Sequence, residues 1–408
     1  MRLDGQDCNH RQTARINCRR STMLLGMARV TASKACRNWR STPGLVGTIV
    51  FAVGWVAGQG IASGQPRMAT PEVPVRDSAG DRQGSAAVAA NEAAPAEPLD
   101  PGQLPAHVFA AHSFWYQPIP KDIPLHPESE NLAREFVRQV KAYYGHAAIN
   151  TSRFSAPIYV VGPDTQPSVV MPWDCKKRGK LDKRLAAQWR TVPIPPNAEP
   201  SHDSDGEMTV YQPATDTLWE FFKARRKTGG RWEACWGGRM RNVSGNAGIW
   251  PHPYGATATG LPIIGGTITV DELRRGRIDH VMGISLVQVE DWRVFSWPAN
   301  RSDGYNPSRL PNRVPEGLRF RLDPQLDVDA LQLHPVARII AKAAQTYGFV
   351  VWDKGGAIAL RAEDPKRFTT VGQPDPYPEL WKGVPPSKIL TNFPWDRLQF
   401  LPVDYGRP

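Results

Sequence analysis

The chain has 408 residues, of which 41% are hydrophobic and 14 are tryptophan. It can therefore bury a sizeable core, and wholesale disorder is excluded. The net charge is +11, but residues 1–40 hold nine Lys or Arg against two Asp, and residues 106–408 hold 38 basic against 31 acidic side chains. This mild excess favours anionic surfaces or glycans. Without a clustered basic patch or a recognition motif, it predicts no nucleic-acid partner.

Residues 44–62 form an apolar segment that carries no charge, between a basic flank and a mildly acidic one. This asymmetry is typical of a segment that inserts with its N-terminus in the cytoplasm. Its length lies between that of a signal-peptide core and that of a spanning helix. We therefore predict that residues 1–43 stay cytoplasmic or are removed, and that residues 44–62 are either a cleaved signal or a single membrane anchor. A buried core helix is the alternative.

Residues 63–106 are rich in Pro, Ala, Gly and Ser. Such a composition cannot bury enough apolar area to offset its ordering entropy, so it predicts a disordered tether. The remaining residues, 107–408, are predicted to form a globular extracytoplasmic domain.

Only two of the five cysteines, Cys175 and Cys235, lie beyond the apolar segment. Two cysteines in an oxidising compartment usually pair, so we predict a disulfide bond between them. The cysteines and histidines lack the spacing of a zinc site, and neither a metal nor a cofactor is predicted.

Apolar periodicity predicts three helices in this domain, each followed by a glycine: residues 128–144, 270–275 and 335–347. Short β-type runs separated by turn residues predict an antiparallel meander over residues 208–240. Two further hairpins are predicted, around residues 290–291 and 354–356. Many short strands with few helices favour a mainly β fold, a β-sandwich or jelly-roll-like body with peripheral helices. An α+β sheet layer is the alternative.

Residues 250–266 (WPHPYGATATGLPIIGG) form a glycine-rich stretch that is too broken for a helix. The spacing G-x-x-x-x-G is present, but Leu261 stands where a phosphate-binding loop requires Lys, so phosphate binding is excluded. The stretch either lines a substrate site or packs as a covered connection, because small residues let the backbone approach either kind of neighbour. Its candidate substrate-binding side chains are Trp250, His252, Tyr254, Thr257 and Thr259.

Glu220 alternates with Leu218 and Phe222 in a predicted strand, so apolar neighbours are expected to raise its pKa and suit it to general-acid chemistry. Asp279 and His280 precede the next predicted strand after the glycine-rich stretch. We therefore hypothesise that Glu220 is a general acid, Asp279 its partner carboxylate and His280 an orienting hydrogen-bonding group. Buried ion pairing is the alternative for all three.

Two runs, GATATGLPIIGGTITVDELRRGRIDHVMGISL and YGFVVWDKGGAIALRAEDP, resemble segments of a family of uncharacterised exported bacterial proteins with relatives in fungi. The shared motif is ATGLP-x-x-GG, and the resemblance covers roughly residues 150–365. It implies an extracytoplasmic role on polysaccharide, but it supplies no catalytic residues.

Several tryptophans fall near the meander and the glycine-rich stretch, and aromatic faces stack on sugar rings. The expected function is therefore that of an exported polysaccharide hydrolase with paired carboxylates, either secreted or tethered to the membrane. Its expected partner is a polysaccharide or cell-wall glycan, besides the membrane if the apolar segment is not cleaved. No hydrolase signature motif supports a familiar class. A non-catalytic glycan-binding module and a structural envelope protein stay open.

Overall fold

The computed structural model describes residues 102–408. The predictions for residues 1–101, including the apolar segment and most of the tether, lie outside the described residues. Within the part that is described, no helix is both long and apolar enough to cross a membrane.

The described chain contains 13 strands and seven α-helices. The helices are α1 Ser129–Ala142, α2 Lys183–Gln188, α3 Ile263–Gly266, α4 Val270–Arg275, α5 Pro335–Thr346, α6 Lys366–Thr369 and α7 Tyr377–Trp381. The strands are β1 Ala148–Asn150, β2 Ile158–Val160, β3 Val170–Pro172, β4 Met208–Gln212, β5 Thr217–Phe222, β6 Arg225–Arg226, β7 Trp232–Ala234, β8 Trp236–Arg241, β9 Met282–Leu286, β10 Arg319–Leu322, β11 Phe349–Lys354, β12 Ala359–Arg361 and β13 Leu398–Phe400. The predicted mainly β fold with peripheral helices is confirmed, and its strands are distributed over three mixed sheets.

The largest sheet has six strands in the order β1-β12-β9-β11-β10-β13. The predicted hairpin between β11 and β12 is wrong, because β9 lies between them, parallel to β11 and antiparallel to β12. All five residues of β9 are buried. A strand that is apolar on both faces suits a central position in a sheet, and this burial outweighs the local turn signal.

The hairpin predicted around residues 290–291 is also absent from the described structure. Strand β9 ends at Leu286, and the following chain makes only isolated bridges, Val289 with Val314 and Phe295 with Glu316. Both predicted arms therefore pair with residues 314–316 rather than with each other.

The second sheet, β2-β4-β5-β8, contains the predicted meander, since β4, β5 and β8 are consecutive antiparallel neighbours. The third sheet is small and has the order β3-β7-β6. The predicted disulfide is confirmed: Cys175, shortly after β3, is bonded to Cys235 between β7 and β8, with a Cα–Cα distance of 5.5 Å.

The three predicted helices are confirmed as α1, α4 and α5. Helix α4 shows why its sequence begins and ends where it does. The Thr269 hydroxyl accepts from the Glu272 amide while the Glu272 carboxylate accepts from the Thr269 amide, which is a capping box. The helix ends at Gly276, whose φ of 77° is left-handed and favours glycine.

The main core lies between the six-stranded sheet and the helices α1 and α5. Phe136 of α1 is fully buried and packs near Phe320 of β10, with ring centroids 5.7 Å apart. Burying one such side chain stabilises the fold by roughly 1.5–3 kcal/mol.

Candidate functional site

A cleft of about 1200 Å³ opens where strand ends and loops of the three sheets meet. Strands β1, β9, β11 and β12 of the first sheet, β5 and β8 of the second, and β3 of the third all contribute lining residues. Small-molecule sites usually measure roughly 300–1,000 Å³, so this cleft has room for an extended ligand.

Three carboxyl groups, which we call the acidic cluster, lie together: Asp303, Glu316 and Asp353. Asp303 and Asp353 line the cleft, whereas Glu316 is not among its lining residues. One oxygen from each lies within 4.8 Å of the others. Asp303 is exposed, and its backbone amide donates to Glu316 Oε2 at 3.0 Å. Glu316 is fully buried, and its Oε1 has no hydrogen-bond partner among the described residues. Within the cluster, the Asp303 carboxylate is thus exposed to solvent and the Glu316 carboxyl group is not.

Burial is the main cause of altered acidity in the acidic cluster. It raises the pKa of Asp353 from 3.8 to about 7, although the nearby Arg361 guanidinium works in the opposite direction. Burial, together with the charge of Asp303, also raises the pKa of Glu316. A carboxyl group with such a pKa can hold a proton near neutral pH.

Local backbone features position Asp353 and Glu316. The pairing of β11 with β9 shifts register between Val351 and Asp353, and such irregularities commonly re-aim a side chain. Glu316 is held because its carbonyl accepts from the Ser296 amide at 2.8 Å, beside the isolated bridge to Phe295.

Arg361 on β12 fixes the orientation of Asp353. Its guanidinium donates to Asp353 Oδ2 at 2.9 Å and to Glu207 Oε2 at 2.6 Å, and the Arg361 and Glu207 side chains are almost fully buried. Glu207 lies just before β4 of the second sheet, so Arg361 joins the first two sheets beneath the cleft.

The glycine-rich stretch forms one wall of the cleft through Ala256, Thr257 and Ala258. Its shape depends on Arg301, whose guanidinium donates to the backbone carbonyls of Pro253, Tyr254, Gly255, Thr257 and Ala258 at 2.6–3.2 Å. Burial lowers the pKa of Arg301 to about 10, so it stays charged at neutral pH.

Gly255 is required in this wall. Its φ is 102°, and a Cβ there would lie 2.4 Å from Cδ1 of the Trp250 ring. The two threonine hydroxyls are used within the protein: Thr257 donates to the Leu261 carbonyl at 2.7 Å and Thr259 to the Trp352 carbonyl at 2.8 Å.

The aromatic residues of the stretch have different environments. Trp250 is buried and does not line the cleft, whereas His252 is exposed. Tyr254 is half-buried and stacks on Trp236, with ring centroids 6.0 Å apart. Trp236 itself lines the cleft, as does Trp173. Neither was predicted from the sequence as a site residue.

Glu220 has the environment that its sequence predicts. It is fully buried, and burial raises its pKa from 4.5 to about 8. Its oxygens accept from the Trp250 indole at 2.9 Å and from the Ile264 amide at 3.1 Å. Glu220 is not among the described residues that line the cleft.

Asp279 and His280 have other partners. Asp279 is half-buried and accepts from Arg277 at 2.8 Å. His280 Nε2 lies 3.2 Å from Glu272 Oε1. Burial by itself lowers the pKa of His280, but the Glu272 carboxylate outweighs it and the pKa is raised. The structure therefore gives Glu220, Asp279 and His280 separate environments, each accounted for by hydrogen bonds or ion pairs.

One part of the cleft rim is basic. We call residues 174–182 the basic loop; Lys176, Arg178 and Lys180 of this loop line the cleft and are exposed. The disulfide at Cys175 attaches the loop to the end of β7, and the disulfide also lines the cleft.

Carboxylate oxygens are the ligands that hard cations such as Ca²⁺ and Mg²⁺ prefer, and the acidic cluster is the group in residues 102–408 that could hold one. Arg361 already donates to Asp353, however, and the pKa values of Glu316 and Asp353 are raised. The arrangement therefore also suits proton transfer.

Comparison with known proteins finds no matching family model, no matching curated protein and no matching solved structure. The resemblance to exported bacterial proteins stays a prediction. The proposals that follow therefore depend on the chemistry of the cleft.

Proposed function

We propose that this protein is a glycan-active hydrolase that binds polysaccharide in the cleft and cleaves it with Asp353 and Asp303. The observation that carries the proposal is a pair of carboxyl groups with oxygens within 4.8 Å of each other, at an extended cleft, one of which has a pKa of about 7. Glycoside hydrolysis requires two carboxyl groups with different protonation states.

Asp353 is the proposed general acid. Its pKa keeps a large part of the group protonated near neutral pH, so it can donate to the leaving glycosidic oxygen. Arg361 holds Oδ2 of the same carboxyl at 2.9 Å, which orients Oδ1 for this donation.

Asp303 is the proposed nucleophile, since it is exposed at the cleft. Retaining glycosidases separate their carboxyl groups by roughly 5–5.5 Å and inverting ones by roughly 6.5–9.5 Å. The short separation here favours retention of configuration. Asp303 would bond to the anomeric carbon as the bond to the leaving oxygen breaks and Asp353 gives up its proton. Asp353 would then deprotonate a water that hydrolyses the glycosyl ester, which restores both carboxyl groups.

Trp173 and Trp236 give this cleft two aromatic side chains, which support the choice of a sugar substrate. We assign no catalytic role to Glu220, because both its oxygens are bonded to protein groups away from the cleft lining. The proposed place of action is outside the cytoplasm, an inference supported by the disulfide and by the charge asymmetry around residues 44–62.

The test is incubation of the purified full-length protein with a panel of polysaccharides, with new reducing ends as the readout. Asp353→Asn and Asp303→Asn should each lower the rate by about 100-fold or more, which is the usual contribution of a general acid or nucleophile. Asp122→Asn is the matched control, because Asp122 is exposed and does not line the cleft. Retention of a polysaccharide without product would replace the hydrolase with the binding-module alternative.

A further inference from the structure

We infer that the polysaccharide is acidic, and that Lys176, Arg178 and Lys180 on the rim of the cleft bind the carboxylates of its uronic acid residues. This inference rests on the proposed function, because it names the substrate class of the same cleft. Two features of the basic loop support it. Its carboxylates are bonded to backbone amides, and these three basic side chains form no ion pair among residues 102–408.

The two acidic residues of the basic loop accept hydrogen bonds from backbone amides. Asp174 accepts from the amides of Arg178 at 2.9 Å and Gly179 at 2.6 Å, and these bonds close the loop on itself. Asp182 accepts from the Leu185 amide at 2.9 Å and caps helix α2. Both carboxylates are thus satisfied by amide groups, and neither is bonded to a basic side chain of the loop.

The basic side chains of the loop lack acidic partners. Among residues 102–408, Lys176, Arg178 and Lys180 form no ion pair within 4.0 Å, and all three are exposed. The other cations that line the cleft differ from one another. Arg361 lies 2.9 Å from Asp353 and Arg301 donates to backbone carbonyls, whereas the exposed Lys354 forms no ion pair among the described residues. Residues 174–182 carry four basic and two acidic side chains, so the cleft has a net positive charge at this rim.

The first residues of this rim are bonded to neighbouring elements. The disulfide links Cys175 to Cys235, and the Trp173 amide donates to the Ala234 carbonyl at 3.1 Å. The Trp173 indole also donates to the Lys223 carbonyl at 3.2 Å. The basic loop is therefore anchored to the protein just before Lys176.

The distribution of charge across the cleft selects the position of a bound acidic chain. A uronate carboxylate would be repelled by the acidic cluster and attracted by the basic loop, so the charged sugar would lie toward the rim. Arg178 can bind a carboxylate with two parallel hydrogen bonds, and the lysines add point charges. A volume of about 1200 Å³ leaves room for further sugars to reach Asp353 and Asp303.

The test compares two polymers with the same backbone, polygalacturonate and its fully methyl-esterified form, by titration calorimetry with the full-length protein. We expect polygalacturonate to bind more tightly, with an affinity that falls as salt is added. Replacing Lys176, Arg178 and Lys180 together by Ser should weaken polygalacturonate binding by about tenfold or more, since three exposed ionic contacts together give a change on that order.

The matched control replaces Lys121, Lys227 and Arg231, which are exposed and do not line the cleft, and it should bind as the wild type does. Equal affinity for both polymers, or an equal loss in both triple variants, would overturn the inference. So would equal binding of a single-stranded DNA of matched charge, which would indicate a general polyanion surface.

The two proposals fail separately. If polygalacturonate binds through the basic loop but no polysaccharide yields reducing ends, the proposed hydrolase activity is wrong and the inference of an acidic ligand is kept. If only neutral polysaccharides are cleaved and the Asp353→Asn variant is inactive, the proposed hydrolase activity is kept and the inference of an acidic substrate is wrong.

Discussion

Replacing Arg301 by Lys tests whether one guanidinium holds the glycine-rich wall of the cleft. The wild-type side chain donates to five backbone carbonyls between Pro253 and Ala258. A lysine keeps the positive charge but has only three donors, so at least two carbonyls lose their partner.

The expected loss of stability follows from this count. A buried acceptor left unsatisfied costs about 1–3 kcal/mol. The wall is only half-buried, and water can reach part of it. We therefore expect the Arg301→Lys variant to lose about 2–4 kcal/mol of unfolding free energy for two lost acceptors.

Urea unfolding measures the global loss, and hydrogen exchange measures where it occurs. Amides of residues 254–258 should exchange faster in the variant, while those of strand β9 should change only with global stability. Lys can replace the exposed Arg309 as a control, because its side chain lies outside the cleft lining. If Arg301→Lys leaves both the unfolding free energy and the amide exchange of residues 254–258 unchanged, the wall does not depend on Arg301.

Four further predictions follow from single features. The pKa of Glu220 is raised from 4.5 to about 8, so the folded state binds the extra proton and stability should fall as pH rises through this range. Glu220→Gln should reduce that fall, measured by urea unfolding, without abolishing turnover; complete inactivity of the folded variant would restore Glu220 as a catalytic residue. Activity should decline above about pH 7 in rate profiles as Asp353 loses its proton, whereas a rate that climbs through that pH argues against this acid. Thiol labelling of the unfolded, unreduced protein should find neither Cys175 nor Cys235 free, and losing their bond, which closes a 60-residue separation, should cost about 4 kcal/mol. A reporter fused after residue 105 should be active outside the cytoplasm, and activity only inside would defeat the export prediction.

The sequence predicts those parts of the fold that depend on neighbouring residues. Helix α4 is a clear case, because its capping residues Thr269 and Glu272 and its stop at Gly276 are all local signals. The start of the meander is predictable for the same reason, since a short turn directly joins the paired strands β4 and β5, whereas β6 and β7 of the third sheet lie between β5 and β8 in the chain. The disulfide is predictable because only two cysteines lie beyond the apolar segment.

Distant pairings are what the sequence does not reveal. The Gly355-Gly356 turn has the features of a hairpin, yet the strand that separates β11 from β12 comes about 70 residues earlier in the chain. The acidic cluster is missed for the same physical reason, because its carboxyl groups come from three separate segments. Asp353 at the end of an apolar run was the available signal. Burial alone also proved a poor guide: Glu220 has a raised pKa, but it does not line the cleft.

Arg301 holds the cleft wall through backbone carbonyl groups rather than through side chains. The path of this part of the loop therefore does not depend on the side chains of Ala256 and Ala258. Arg301 binds the backbone oxygen of Ala258, an atom that every amino acid has, and Ala256 is not among the partners of Arg301, so neither alanine side chain takes part in these bonds. These two positions are therefore open to variation during evolution or engineering. Larger or polar side chains there would narrow the cleft or change its specificity while the loop keeps its path.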